Sequence, residues 1–84
     1  MLFKFENQAL KDLKYWKYNN HILYKKIFSL LKDIQESPFV GIGKPEPLKE
    51  NLSGWWSRRI NREHRLIYKI NKQEISILSC RYHY

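Results

Sequence analysis

The run Arg65-Leu-Ile-Tyr-Lys-Ile70, then the polar triplet Asn71-Lys-Gln73, then Glu74-Ile-Ser-Ile-Leu-Ser-Cys80, decides the fold class of this chain. Apolar, aromatic and β-branched residues at a period of two, on either side of a short polar turn, specify two antiparallel strands. Alternation puts Leu66, Tyr68 and Ile70 on one face of the first strand and Arg65, Ile67 and Lys69 on the other. The sheet therefore has a greasy side and a side that carries arginine. The same period in the second strand, continued to about Tyr82, groups Ser79, Arg81 and His83 opposite Leu78, Cys80 and Tyr82. Whether the His83 face joins the Arg65 face depends on strand register, which the sequence leaves open.

Toward the amino end, Trp55 to Ile60 reads as a further strand, joined to the first by the turn Asn61-Arg62-Glu63. Residues 37–54 hold all three prolines (Pro38, Pro45, Pro47) and all three glycines (Gly41, Gly43, Gly54), which excludes a long regular element and leaves an ordered loop or a wandering edge. Before that segment the periodicity becomes helical. Phe3 and Phe5 flank Lys4 in a short opening strand, and Asn7 can cap a helix whose apolar positions are Ala9, Leu10, Leu13 and Trp16. Asn19 and Asn20 interrupt it, and a second helix carries the stripe Leu23, Ile27, Leu30 and Ile34, widened by Ile22 and Leu31. The expectation is one α+β domain over residues 1–84, with an N-terminal strand and a two-helix hairpin packed on a mainly antiparallel sheet.

Composition narrows the function. The 84 residues carry 16 Lys plus Arg against 8 Asp plus Glu, a net charge of +8, which suits a polyanionic partner, nucleic acid first. A membrane-surface role ranks well below, because the arginines lie in the strand-rich half and not on one face of an amphipathic helix. The lysines between residues 11 and 32 read as the solvated faces of the helices. Cys80 is the only cysteine, so an intrachain disulfide and a thiolate metal cluster are both excluded. In its apolar run, Cys80 is read as a small buried hydrophobe. No stretch approaches the ~20 apolar residues of a membrane span, and the opening residues lack a signal-peptide core. The expectation is a soluble chain in a reducing cytoplasm.

Three features bear on chemistry. Glu46 stands between Pro45 and Pro47 and is flanked by Lys44 and Lys49, so it is stiffly held near positive charge. Read alone, such a residue is more often a solvated acid in a rigid turn. The Gly43-Lys44 pair does not make a P-loop, because proline follows it and no helix does. Arg58, Arg59 and Arg65 on adjacent strands can present planar donors to phosphate, while Trp55, Trp56, Tyr82 and Tyr84 offer faces for base stacking. One tryptophan of the adjacent pair must point inward, and the sequence leaves open which. The last four residues, Arg81-Tyr-His-Tyr84, join a phosphate-binding guanidinium to an imidazole that titrates near neutrality, flanked by two phenols. His21 and His64 lack partners at metal-ligand spacing and read as exposed or turn histidines. A base, a cation and an acid suffice to cut RNA without a metal: the base takes the 2′-hydroxyl proton, the cation holds the crowded phosphate, and the acid protonates the leaving 5′-oxygen.

Lys44-Pro-Glu-Pro-Leu-Lys49, Asn51-Leu-Ser-Gly54, Trp56-Ser-Arg-Arg59, Glu63-His-Arg-Leu66 and Cys80-Arg-Tyr-His-Tyr84, in that order, resemble the YoeB toxins of the RelE superfamily. Residues 38–84 carry most of the likeness, with Tyr15, Trp16 and the two-helix layout adding to it. The resemblance implies a microbial-ribonuclease-like α+β fold and an endoribonuclease that cleaves messenger RNA in the ribosomal A site. It implies Glu46 as general base, His83 as general acid, Arg65 as phosphate stabiliser, and Lys49, Arg59 and Tyr84 in supporting or substrate-positioning roles. Lys44, Arg58 and Arg81 join them as expected RNA or phosphate contacts. No cofactor or metal is implied. The implied partners are a YefM-like antitoxin and a second copy of the chain, with DNA reached only through the antitoxin. Glu50 and Ile42 depart from a wholly basic loop. Against the enzyme stands a non-catalytic basic protein that blocks ribosomes by occupancy, or one that serves chiefly as an antitoxin co-repressor.

Overall fold

A computed structural model describes residues 1–82; His83 and Tyr84 lie outside the described residues. The elements are β1 (Leu2–Phe5), α1 (Asn7–Asn19), α2 (His21–Glu36), β2 (Glu46–Pro47), a single 3₁₀ turn (Glu50–Leu52), β3 (Trp56–Arg59), β4 (Arg65–Asn71) and β5 (Glu74–Ser79). They build a five-stranded sheet in the order β1-β5-β4-β3-β2. Three neighbouring pairs are antiparallel, and β1 runs parallel to β5, so the sheet is mixed at one edge. Both helices cover one face. Ala9 and Trp16 of α1 and Ile27, Leu30, Leu31 and Ile34 of α2 form a single core with Leu66, Tyr68, Ile75 and Ile77 of the sheet. The stripe expected on α2 is the one that is buried, while Leu10 and Ile22 face outward at 52% and 80% exposure. All six lysines of the two helices are exposed, as their reading as solvated faces required.

Local chemistry sets the boundaries. Asn20 ends α1 and caps α2, accepting a hydrogen bond from the Leu23 amide at 3.2 Å. Asn7, expected as a cap, is the first helical residue, with Glu6 in the cap position and no side-chain bond. The proline-rich segment yields two short regular pieces, the 3₁₀ turn and the two-residue β2 on the sheet edge, where proline's missing donor costs nothing. The last strand stops at Ser79, short of the expected Tyr82. A β-bulge intervenes, since Ile67 faces Ser79 while the next residue, Tyr68, faces Ile77. The extra residue, Leu78, inverts the period, so Cys80 joins Ile75 and Ile77 in the core and not the face expected from simple alternation.

Arg58 is the largest correction to the sequence reading. Expected to meet phosphate, it is wholly buried, and all five of its donors are used inside the protein. One Nη pairs with the Asp33 carboxylate and donates to the Ile42 carbonyl at 3.0 Å; the other reaches the carbonyls of Ser37 and Val40; Nε donates to the Tyr68 hydroxyl at 3.2 Å. Register explains the burial, because Arg58 lies opposite Leu66 and so points to the helix side. Asp33 also accepts from the Ile42 amide, and Tyr68 donates to the Pro38 carbonyl. The loop between α2 and β2 is thus bound at every turn to a buried guanidinium. Gly41, at φ +125°, is required there, since a Cβ would land on the Asp33 carboxylate.

Truncating Arg58 leaves three carbonyls and a carboxylate short of donors. Arg58→Met is expected to lower unfolding free energy by at least about 3 kcal/mol; a loss under about 1 kcal/mol in urea titration would show that the network is ornamental. The same network has a pH signature. The Arg58 hydrogen bond first, then the Ile42 amide, hold Asp33 below its ordinary 3.8 against the opposing effect of burial. Because the native value is the lower one, Asp33's contribution is complete above about 3.8 and disappears as pH falls through the native value. The stability gap between the parent and Asp33→Asn should therefore close on acidification. A gap that persists unchanged into strong acid would contradict the ion-pair account.

Candidate functional site

The sheet face away from the helices carries Glu46, Arg59 and Arg65. Cross-strand register aligns Glu46 of β2 with Ser57 of β3, Ser57 with Ile67 of β4, and Ile67 with Ser79 of β5. Residues paired across a ladder share a face, so this row lies on one side together with the pair Arg59 and Arg65. Strand and residue spacings put the Glu46 and Arg65 Cα atoms roughly 12 Å apart, a gap that a glutamate and an arginine can close from opposite sides around one phosphodiester. Ser57 and Ile67 form a buried floor at 1% exposure each, and Glu46, Arg59 and Lys49 are exposed around it. A groove of about 530 Å³ lined by residues 46–52 adjoins the row. Lys44, also exposed, holds a positive φ of 51° at the mouth of the loop.

Arg65 is half-buried and aimed by its own turn. One Nη donates to the carbonyls of Asn61, Arg62 and His64 at 3.0 to 3.1 Å, while Asn61 accepts from the amides of Glu63 and His64 at 2.9 and 2.8 Å. The guanidinium is thereby fixed. Its Nε and second Nη make no hydrogen bond among the described residues. The tryptophans separate as the pair rule required. Trp56 turns to the helix side against Phe39, and Trp55 stays on the open face with the Lys69 ammonium 5.3 Å from its ring centre.

The segment that leads to His83 is fastened to two parts of the molecule. The Cys80 amide donates to Asp12 Oδ2 at 2.9 Å, and the Cys80 carbonyl accepts from the Trp16 indole at 2.7 Å, so both peptide groups are satisfied by α1 side chains. Tyr82 donates its amide to His64 Nδ1 at 2.7 Å and accepts at its carbonyl from the Arg65 amide at 3.1 Å. The chain therefore passes directly beside Arg65, one residue before His83. The expected catalytic roles of His83 and Tyr84 lie outside the described residues. Arg81 is not on the arginine face: its guanidinium stacks on the Tyr15 ring of α1 at 3.4 Å and donates to the Tyr82 hydroxyl at 2.9 Å. His64, read from sequence as an exposed or turn histidine, is buried on the turn before β4, with its ring edge-on to Trp16. Asp12 was missed altogether, although an acid on the buried stripe of α1 between Ala9 and Trp16 was a visible anomaly.

Of the expected site residues, Glu46, Arg59 and Arg65 share the open face, whereas Arg58 and Arg81 do not. The model for YoeB-like toxins of bacterial type II toxin-antitoxin systems matches residues 5–84. The chain belongs to this family. It is 51% identical over 77 residues to toxin YoeB of Escherichia coli strain K12, covering 92% of each chain. Among solved structures, the YoeB dimer from Staphylococcus aureus superposes with a TM-score of 0.94 at 49% identity, over 100% of this chain and 98% of that one. The toxin in a heterotetrameric YoeB-YefM complex from Staphylococcus aureus gives 0.91 at 50% identity, over 100% and 99%. Within the YoeB-like toxins, Cys80 of this chain is a packing residue. Burial, reinforced by the charge of Asp12, pushes its thiol up to about 12. Iodoacetamide at mildly alkaline pH should leave the folded chain unmodified and alkylate it only after denaturation; rapid labelling of the native chain would refute this.

Proposed function

We propose that this chain is a ribosome-dependent endoribonuclease that cuts messenger RNA in the A site by general acid-base catalysis. What supports the reading most is one juxtaposition: Glu46 and Arg65 share the open face, and Tyr82, the residue before His83, is hydrogen-bonded to the Arg65 amide. Glu46 takes the proton from the 2′-hydroxyl, the new O2′–P bond forms, and Arg65, with Lys49 and Arg59 near it, stabilises the charge gathering on the phosphoryl oxygens. His83 protonates the departing 5′-oxygen as the P–O5′ bond breaks. The products are a 2′,3′-cyclic phosphate and a 5′-hydroxyl. Tyr84 positions substrate at the same end. The net charge of +8 draws the protein to the RNA-rich ribosome, with Lys44 and Lys49 on the rim of the loop.

The physiological partner is a YefM-like antitoxin, supported by the relatives solved in YoeB-YefM complexes, and the free toxin is a homodimer like the solved relative from Staphylococcus aureus. DNA is reached only through that antitoxin, and the setting is the cytoplasm, where message is translated.

Purified protein added to ribosomes programmed with a defined message provides the test. The parent should cut within the A-site codon, leaving 5′-hydroxyl ends, whereas a blocker that works by occupancy leaves the message intact. Glu46→Ala and His83→Ala should each slow single-turnover cleavage by about 10² to 10⁴-fold, and Arg65→Ala by about 10² to 10³-fold. A His83→Ala protein as fast as the parent would remove the assigned acid.

A further inference from the structure

We propose that His64 is a positioning residue for cleavage: its Nδ1, by accepting the Tyr82 amide, fixes the point from which the chain enters His83. The inference rests on the endoribonuclease reading above and goes beyond it, since His64 lies on the turn before β4 and faces α1, not the open face.

Three observations carry it. First, the bond is short, 2.7 Å, and its acceptor is a side chain of a residue only 7% exposed, so water competes little for the acceptor. Second, Tyr82 sits at φ +62°, a left-handed conformation that is unfavourable for a residue with a Cβ. Something must hold it there. The hydrogen bonds at its amide, to His64, and at its carbonyl, from Arg65, are attached to consecutive residues of β4's entry, and together they bend the chain at that residue. Third, His64 is in turn located from several sides. Its ring packs edge-on against Trp16 with centroids 4.7 Å apart and against Tyr82 at 5.3 Å, its amide is held by Asn61, and its Nε2 lies 3.7 Å from the Glu63 carboxylate. Trp16 also holds the Cys80 carbonyl. One aromatic of α1 thus supports both the tail and the histidine that directs it. Accepting at Nδ1 requires the tautomer protonated at Nε2, the nitrogen that faces Glu63.

A residue of this kind acts on the geometry of the reacting group and leaves substrate binding alone. His64→Leu keeps bulk and removes the acceptor, whereas His64→Asn places an oxygen at the position of Nδ1. Single-turnover cleavage on programmed ribosomes should fall on the order of 10²-fold in His64→Leu, with unchanged ribosome affinity, and recover most of that loss in His64→Asn. Comparable slowness of the two variants would overturn the proposal, as would full activity in His64→Leu.

Should His64→Leu fail to fold, a second measurement leaves every side chain in place. Cys80 permits ligation of residues 80–84 to a thioester of residues 1–79, and replacing the Tyr82 N–H by an ester oxygen in the synthetic piece deletes the donor alone. The ester chain should cleave as slowly as His64→Leu; parental speed would sink the idea. A readout independent of activity separates this proposal from the ribonuclease reading. In ¹⁵N-histidine spectra, His64 should carry its proton on Nε2, with the Nδ1 resonance displaced in the ester chain. The opposite tautomer would end the proposal even for an active enzyme, and an inactive parent showing the expected tautomer would place the fault in the ribonuclease reading.

Discussion

A guanidinium buried beneath a sheet is expensive, and this fold spends one on a loop. Desolvating Arg58 is tolerable only because every N–H finds an acceptor, and three of those acceptors are carbonyls of the segment between α2 and β2. That segment has little apolar mass of its own to bury: Phe39, Val40 and Ile42 remain exposed at 48%, 68% and 44%. Hydrophobic burial therefore cannot hold it. A charged fork can, since hydrogen bonds from an ionised donor to backbone oxygen contribute more than neutral ones, and several from one rigid plane fix a path and not merely a position. The path matters because it delivers Lys44 and Glu46 to the edge of the sheet, where β2 has only two residues with which to keep Glu46 in register.

The same economy recurs at the carboxyl end. Chain termini fray because fixing each backbone residue costs about 1–2 kcal/mol in conformational entropy. Here the described residues after β5 make no further ladder, yet Cys80 and Tyr82 have both their amides and both their carbonyls hydrogen-bonded. The partners are a buried acid, an indole, a buried imidazole and the first amide of β4. Loop and tail are thus each tied to the scaffold by polar groups that do not themselves face the open side. Polar side chains of the scaffold hold both the loop before β2 and the segment from Cys80 to Tyr82.

Much of this was legible. Period-two alternation on Arg65–Asn71 gave the correct faces, and Arg65 and Glu46 lie on the open side as their types suggested. The α2 stripe and the separation of the two tryptophans followed from geometry that sequence states directly. What was not legible was whatever depended on count and not on type. One extra residue, Leu78, inverts the alternation after Ile77, turning Ser79 to the open face and Cys80 to the core, while Arg81, beyond the end of β5, stacks on Tyr15 of α1. Arg58 and Arg59 are chemically identical neighbours, yet one is wholly buried and the other exposed, because register alone decides which faces the helices. Period two does say that adjacent arginines must split, and Asp33, an acid beside the α2 stripe, was the available hint to a buried cation. For Asp12 and His64 the signal was similar in kind: polar groups whose partners are backbone atoms distant in sequence.

The segregation of the two arginines has a consequence for how the chain can vary. Arg58 fixes the loop from the helix side, and Arg59 and Arg65 meet the solvent side, so the enclosed and the outward positive charges are carried by different residues of the same sheet. Changes on the open face can alter electrostatics without releasing the loop. Changes at Asp33, Arg58 or Tyr68 cannot be compensated there, because the donors and acceptors they would orphan are enclosed between α2 and the sheet. The helix-facing polar cluster is therefore the part that must be kept whole, and the basic open face is the part free to vary in charge.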